Sequence, residues 1–170
     1  RFPSPFSPEQ RAVWIIPSVP TTYRHRARAA PQVAGIIADA CRHTGAANIG
    51  VFFPSFAYLD SVRAQLPATL PRRLLVQQPG LMPAQRETIL AELREPSRDR
   101  LLLAVLGGVF AEGVDYCGTM LEGVIAVSPG IPALGPERDA LAQYYADQGL
   151  DGFAMAYAIP GIQRVLQAVG

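Results

Sequence analysis

Three short segments carry the residue types that could do chemistry: Phe53-Pro54-Ser55, Gly107–Asp115 and Ser128-Pro129. Ser55 follows an apolar run and precedes a helical pattern. A hydroxyl beside the free amides of a helix start can hold a phosphate, and the same geometry serves as a plain N-cap. The second segment, G-G-V-F-A-E-G-V-D, is the most informative. Gly108 and Gly113 have the G-x-x-x-x-G spacing of a P-loop, but Val114 and Asp115 stand where lysine and Ser/Thr are required. It is no Walker A. Glycines would let the backbone approach a nucleotide or phosphodiester while Glu112 and Asp115 accept hydrogen bonds from hydroxyls or arginine. The structural alternatives are a loop-capping carboxylate at Glu112 and a turn former at Asp115.

Composition narrows the chemistry further. The chain has 170 residues, and its 15 basic side chains are all arginine, against 14 acidic ones. Without lysine there is no Walker A P-loop, Schiff-base lysine or lysine general base within this chain. A net charge of +1 excludes a polybasic nucleic-acid coat but leaves room for a local basic groove. Cys41 and Cys117 are too few for a cysteine-ligated zinc or iron–sulfur site, and His25 and His43 lack helical metal-pair spacing. No metal ligands are therefore expected. G-x-S-x-G is absent, which leaves no nucleophile elbow. No apolar run reaches membrane-spanning length and the N-terminus is proline-rich, so the expectation is a soluble intracellular domain, cytoplasmic or nucleoid-associated. Arg24, Arg26 and Arg28 read as a solvated loop. Arg72, Arg73, Arg94, Arg98 and Arg100 read as solvated charge, and Tyr144-Tyr145 as helix packing.

Strands and helices must position these segments, and the apolar pattern supplies them. Arg11–Ile16 (RAVWII) predicts a strand stopped by Pro17. A helix opens near Pro31, with Val33, Ile36, Ile37, Ala40 and Cys41 on one stripe, and ends at Gly45. Asn48–Phe53 predicts a second strand. A helix after Ser55 presents Phe56, Leu59, Val62 and Leu66. Arg73–Gln77 is a third strand, and Pro83 opens a helix to about Arg94 with Ile89, Leu90 and Leu93 inward. Arg100–Leu106 is the most apolar strand and Gly123–Val127 the last. Helices are expected over Glu137–Gln148 and from Pro160 to Val169. Strand–helix alternation with unbroken apolar strands implies an α/β fold, a parallel sheet covered by helices on both faces, in a single domain. Ligands of such sheets bind beyond the carboxyl ends of the strands.

Five segments in order complete a pattern: F-F-P-S-F, Q-x-P-G-L, G-G-V-F-A-E-G-V-D-Y, G-V-I-A-V and I-Q-R-V-L-Q-A-V-G. Together they resemble the C-terminal motor lobe of the XPD and DinG families of superfamily-two DNA helicases, from about Ser4 to the last residue. The resemblance implies a RecA-like lobe spanning 1–170, cut within motif VI. It implies that Phe52–Ser55 is motif IV, with Pro54 and Ser55 against single-stranded DNA. Gly108–Asp115 would be motif V, Gly108 and Glu112 facing DNA and Gly113 and Asp115 the nucleotide. Gln167 and Gly170 would begin motif VI, whose arginines reach ATP and lie beyond Gly170.

The partners implied are single-stranded DNA and a first RecA-like lobe of the same protein. That absent lobe would hold most of the ATP and Mg²⁺, and a [4Fe-4S] cluster where the family carries one. The fragment itself is expected to be monomeric and without ATPase activity. Ala111 departs from the serine that family members often carry there, which removes a hydroxyl from motif V. The rival reading is a catalytically silent α/β module, binding DNA or protein, that keeps the helicase fold.

Overall fold

The computed structural model describes residues 12–96 and 99–169. Four parallel strands form one sheet: β1 (Ile49–Phe53), β2 (Arg73–Val76), β3 (Arg100–Val105) and β4 (Gly123–Ala126), in the order β2-β3-β1-β4. Phe53 lies opposite Val105 and Phe52 opposite Ala126, so the carboxyl ends of β3, β1 and β4 finish side by side.

The period of two divides the strand residues between two cores. Ile49, Val51, Phe53, Leu101, Leu103 and Val105 face α1 (Arg26–His43) and α2 (Phe56–Arg63), which bury Val33, Ile37, Cys41, Leu59 and Val62 against them. Phe52, Leu102, Ala104 and Leu106 face the other way. They meet Leu90 and Leu93 of α3 (Pro83–Arg94), Phe110 and Ala111, with Val165 and Ala168 of α5 (Ile159–Val169) at the edge. Burying a side chain such as Leu102 or Phe52 stabilises the fold by about 1.5–3 kcal/mol each, which is why the interior of these central strands is apolar.

Polar anchoring sits at the opposite end of the sheet. Asn48 is buried; its amide donates to the carbonyls of Leu93 and Met120, and its Oδ1 accepts from the Arg100 amide at 3.0 Å. Arg72 reaches the carbonyls of Cys41, Ala46 and Ala47, the last at 2.6 Å. The Cys41 carbonyl is one that the end of α1 leaves open, and the other two belong to the loop before β1. Arg100, only 8% exposed at its side chain, pairs with Glu92, Glu95 and Asp99. Arg72 and Arg100 are therefore structural groups and not solvated charge, because each finds acceptors in other segments of the chain.

Other expectations change as well. Arg11 lies outside the described residues, and Ala12–Ile16 is not a strand: Val13, Trp14 and Ile15 are 79–86% exposed and no described strand pairs with the segment. An apolar run becomes a strand only when an edge accepts its hydrogen bonds. Helix α1 starts at Arg26, after a 3₁₀ turn at Tyr23–His25, and contains Pro31 in its second turn. Arg26 and Arg28 are thus helical. The Arg26 guanidinium lies 5.4 Å from the Tyr58 ring centre, a cation–π contact.

Helix α4 (Pro136–Asp147) has no buried residue, and Tyr144 is 60% exposed, so Tyr144 and Tyr145 pack edge-on against each other and not into a core. The final helix begins before Pro160: a π-helical segment at Ala154–Ala158 runs directly into α5. Proline at 160 lacks the N–H that the carbonyl of Ala156 would otherwise receive, and the register loosens there by one residue.

Candidate functional site

The three chemically equipped segments emerge together. The Leu106 amide donates to the Phe53 carbonyl at 2.8 Å, and the Val127 amide to the Phe52 carbonyl at 2.9 Å. The strand pairing is thereby prolonged one step into both connecting loops. The edge so formed carries Pro54 and Ser55, then Gly107–Asp115, then Ser128–Gly130.

Ser55 is the N-cap of α2, its Oγ accepting from the Tyr58 amide at 3.3 Å. A hydroxyl that accepts one bond still has its own proton to donate. The cap therefore leaves Ser55 able to reach an anion oxygen, alongside the first amides of α2. Pro54 fixes the chain between the buried Phe53 and this cap.

The Gly107–Asp115 loop is held by side chains from outside it. At its root the buried Gln77 accepts, through Oε1, from the Val105 amide at 3.0 Å. A Cβ on Gly108 would come within 2.8 Å of Gln77 Nε2 and of Val105 Cγ2, so only glycine fits there. Across the loop, Arg86 of α3 donates to the carbonyls of Val109 and Gly113, both at 3.3 Å. Tyr116 donates its hydroxyl to the Phe110 carbonyl at 2.7 Å, and burial pushes its phenol well above the usual range. Gly113 adopts φ +71°, a left-handed conformation that favours glycine.

Glu112 and Asp115 are both exposed on this braced loop, and among the described residues neither enters an ion pair. The Asp115 carboxylate beside the exposed Cys117 thiol raises that thiol's pKa. Among the described residues neither carboxylate accepts from a backbone amide of the loop, while the Asp115 carbonyl accepts from the Cys117 amide at 3.2 Å in a tight turn.

Glu112 also borders an open cleft of about 500 Å³ whose other wall is α5, lined by Pro160, Gln163, Arg164, Leu166 and Gln167. The structure thus brings Glu112 and Gln167 to one cavity although they are far apart in sequence. Arg164 spans the floor: its Nη1 donates to the Gly130 carbonyl at 3.0 Å, and its Nε would lie 3.4 Å from a Cβ on Gly107. Gly108, Gly113 and Asp115 do not line this cleft, and Pro54 and Ser55 sit on the neighbouring strand end. Gly170 lies outside the described residues.

Gln77, Arg86, Tyr116 and Arg164 support the site without having stood out as candidates in the sequence. Gln77 had a signal, being the first residue of the Q-x-P-G-L segment and a polar residue ending an apolar strand. The arginines had none, since their acceptors are backbone carbonyls supplied by other elements.

The class defined here is a parallel α/β sheet with a glycine-rich loop after one of its two central strands, facing a helix that carries Gln167. The chain belongs to the helicase C-terminal domain family, whose model matches residues 37–170. Among solved structures, it is similar to one named XPD helicase, with a TM-score of 0.68 and 21% identity over 89% of this chain and 27% of that one. It is also similar to S. tokodaii Xpd4, with a TM-score of 0.61 and 16% identity over 89% of this chain and 29% of that one. The RecA-like α/β fold is shared with both, and the chain spans little more than a quarter of their length. No curated protein matches it. No helix among the described residues is long and apolar enough to cross a membrane.

Proposed function

We propose that this chain is the second motor lobe of an ATP-dependent DNA helicase. The observation that carries the reading is the juxtaposition, along one sheet edge, of the capped start of α2, the braced Gly107–Asp115 loop and the Glu112–Gln167 cleft. Pro54, Ser55, Gly108 and Glu112 would meet the backbone of single-stranded DNA. Gly113 and Asp115, which stand outside that cleft, would meet the nucleotide from the loop, and Gln167 would line the cleft from α5.

The residues present fit one wall of an ATP·Mg²⁺ site and not a whole one. There is no lysine to cradle β- and γ-phosphates, so the triphosphate would be held chiefly by a first RecA-like lobe of the same protein. Bound there, the nucleotide supplies the free energy of phosphoryl transfer. What this chain contributes is alignment: a loop whose two sides are offered to different ligands, so that closing on one displaces the other. The test is turnover of the whole protein with and without single-stranded DNA.

In that protein, Asp115→Ala is expected to lower DNA-stimulated ATP turnover and unwinding more than it lowers DNA affinity. Normal stimulated turnover in the variant would remove the coupling role. Absence of any DNA-stimulated hydrolysis in the wild-type protein, with DNA binding intact, would favour the silent module.

A further inference from the structure

We propose that Arg86 is a positioning residue for the Gly107–Asp115 loop, setting from α3 how far the DNA-facing and nucleotide-facing halves of the loop stand apart. The inference rests on the motor reading for its functional half and on geometry for the rest.

Arg86 is in the first turn of α3, the helix that Pro83 opens. Its guanidinium forks between two loop carbonyls, Nε to Val109 and Nη2 to Gly113, while Nη1 pairs with Glu87 at 3.2 Å. Glu112, assigned to DNA, lies between those two carbonyls in sequence; Gly113, assigned to the nucleotide, carries one of them. One planar group therefore fixes the separation across which any signal between the two ligands must pass.

A guanidinium suits this task because its donors diverge in a rigid plane, whereas an ammonium is a point donor on a flexible stem. The side chain is 28% exposed, so the contact is shielded in part from competing water. The other supports act elsewhere: Gln77 holds the root at Val105, and Tyr116 holds the middle at Phe110. Tyr116, directly after Asp115, thus ties the loop's end to its middle, whereas Arg86 alone among these supports reaches two carbonyls within the loop. Inside the loop, the amides of Ala111 and Glu112 both donate to the Gly108 carbonyl, at 2.9 and 3.1 Å, and these report whether its turn is intact.

The test uses the whole protein that carries this lobe, as wild type, Arg86→Gln and Arg86→Lys. Amide hydrogen exchange without ligands should accelerate about tenfold at Ala111 and Glu112 in Arg86→Gln if a local opening is favoured by that factor. Exchange in β1 and β3 should not change. With ATP·Mg²⁺ and a saturating oligo(dT) strand, kcat should fall about tenfold, since loss of alignment lowers rate steeply. KM for ATP should stay within about twofold, a split that general destabilisation would not produce. Arg86→Lys should restore neither fully, because charge returns without the fork. Unchanged exchange at Ala111 and Glu112 in Arg86→Gln would overturn the proposal. So would a loosened loop with undiminished kcat. A wild-type protein without DNA-stimulated hydrolysis overturns the motor reading and the coupling half with it, whereas the exchange measurement still decides whether Arg86 positions the loop.

Discussion

The guanidinium of Arg138 donates to the carbonyl of Ala156 at 2.8 Å, the carbonyl that Pro160, four residues on, has no N–H to satisfy. Ala156 is fully buried. Helix α4 thus supplies from outside the donor that the last helix lost to its own proline. Removing that donor leaves a buried acceptor unpaired, which costs about 1–3 kcal/mol. Arg138→Met should lower stability to urea by that amount. Adding Pro160→Ala, which returns an N–H to the helix, should recover part of the loss, and strictly additive effects would show that the two residues do not share this carbonyl.

Ser55 has two separable duties. Loss of the cap in Ser55→Ala should cost about 1 kcal/mol of stability and also weaken single-strand binding. Ser55→Asp keeps a side-chain acceptor for the Tyr58 amide but sets a negative charge against a phosphate. Its melting temperature should stay near wild type while its oligo(dT) affinity falls. Equal affinity for Asp, Ala and Ser at low salt would leave Ser55 as a cap alone.

Tyr116 makes stability sensitive to alkali. Burial raises its phenol in the folded protein, so the unfolded chain ionises first, near its ordinary value of about 10. Its contribution is complete below that pH and is lost progressively as pH rises above it. Urea midpoints between about pH 8 and 11 should fall on the alkaline side, and Tyr116→Phe should flatten that limb. A Phe variant with the same alkaline slope would assign it to another group.

Ser128 holds φ at +75° immediately before Pro129, a left-handed backbone at the end of β4. That conformation costs a non-glycine residue about 1–2 kcal/mol, of which glycine's greater chain entropy returns about 0.5–1. Ser128→Gly should therefore stabilise the protein by several tenths to about 1 kcal/mol in urea titration. A destabilised variant would mean that the hydroxyl is needed where it stands.

Periodicity made most of the fold legible. The boundaries of α3 follow from Pro83 and the spacing of Ile89, Leu90 and Leu93, and β1 and β3 from apolar runs buried on both faces. Ala12–Ile16 misled because its residues are as strand-like as those of β1; local preference does not create a partner. Helix α1 begins earlier than expected because a proline can be carried in its second turn, and the last helix because a π-helical segment leaves no mark in a run of small residues. Within the candidate site, Ser55 and Glu112 stand out by residue type and position, and Gln167 only through the family resemblance. Arg86 and Arg164 were not legible, since an arginine aimed at a distant carbonyl looks in sequence like any charged surface residue.

Asn48 and Arg72 fasten the amino-terminal end of the sheet, where α1, α3, β3 and the segment after the glycine-rich loop meet. Everything offered to ligands lies at the far end of the same strands. The lobe is built like a hand fixed at the wrist: buried polar anchoring by Asn48 and Arg72 is at one pole, and the exposed Glu112 and Asp115 are at the other. Changes at Asn48 should therefore govern how much folded protein survives in a cell without altering what the survivors do. Changes at the exposed Glu112 and Asp115 should alter behaviour at little cost in abundance. Sequence drift in such a lobe can retune its response to ligands without passing through unfolded intermediates.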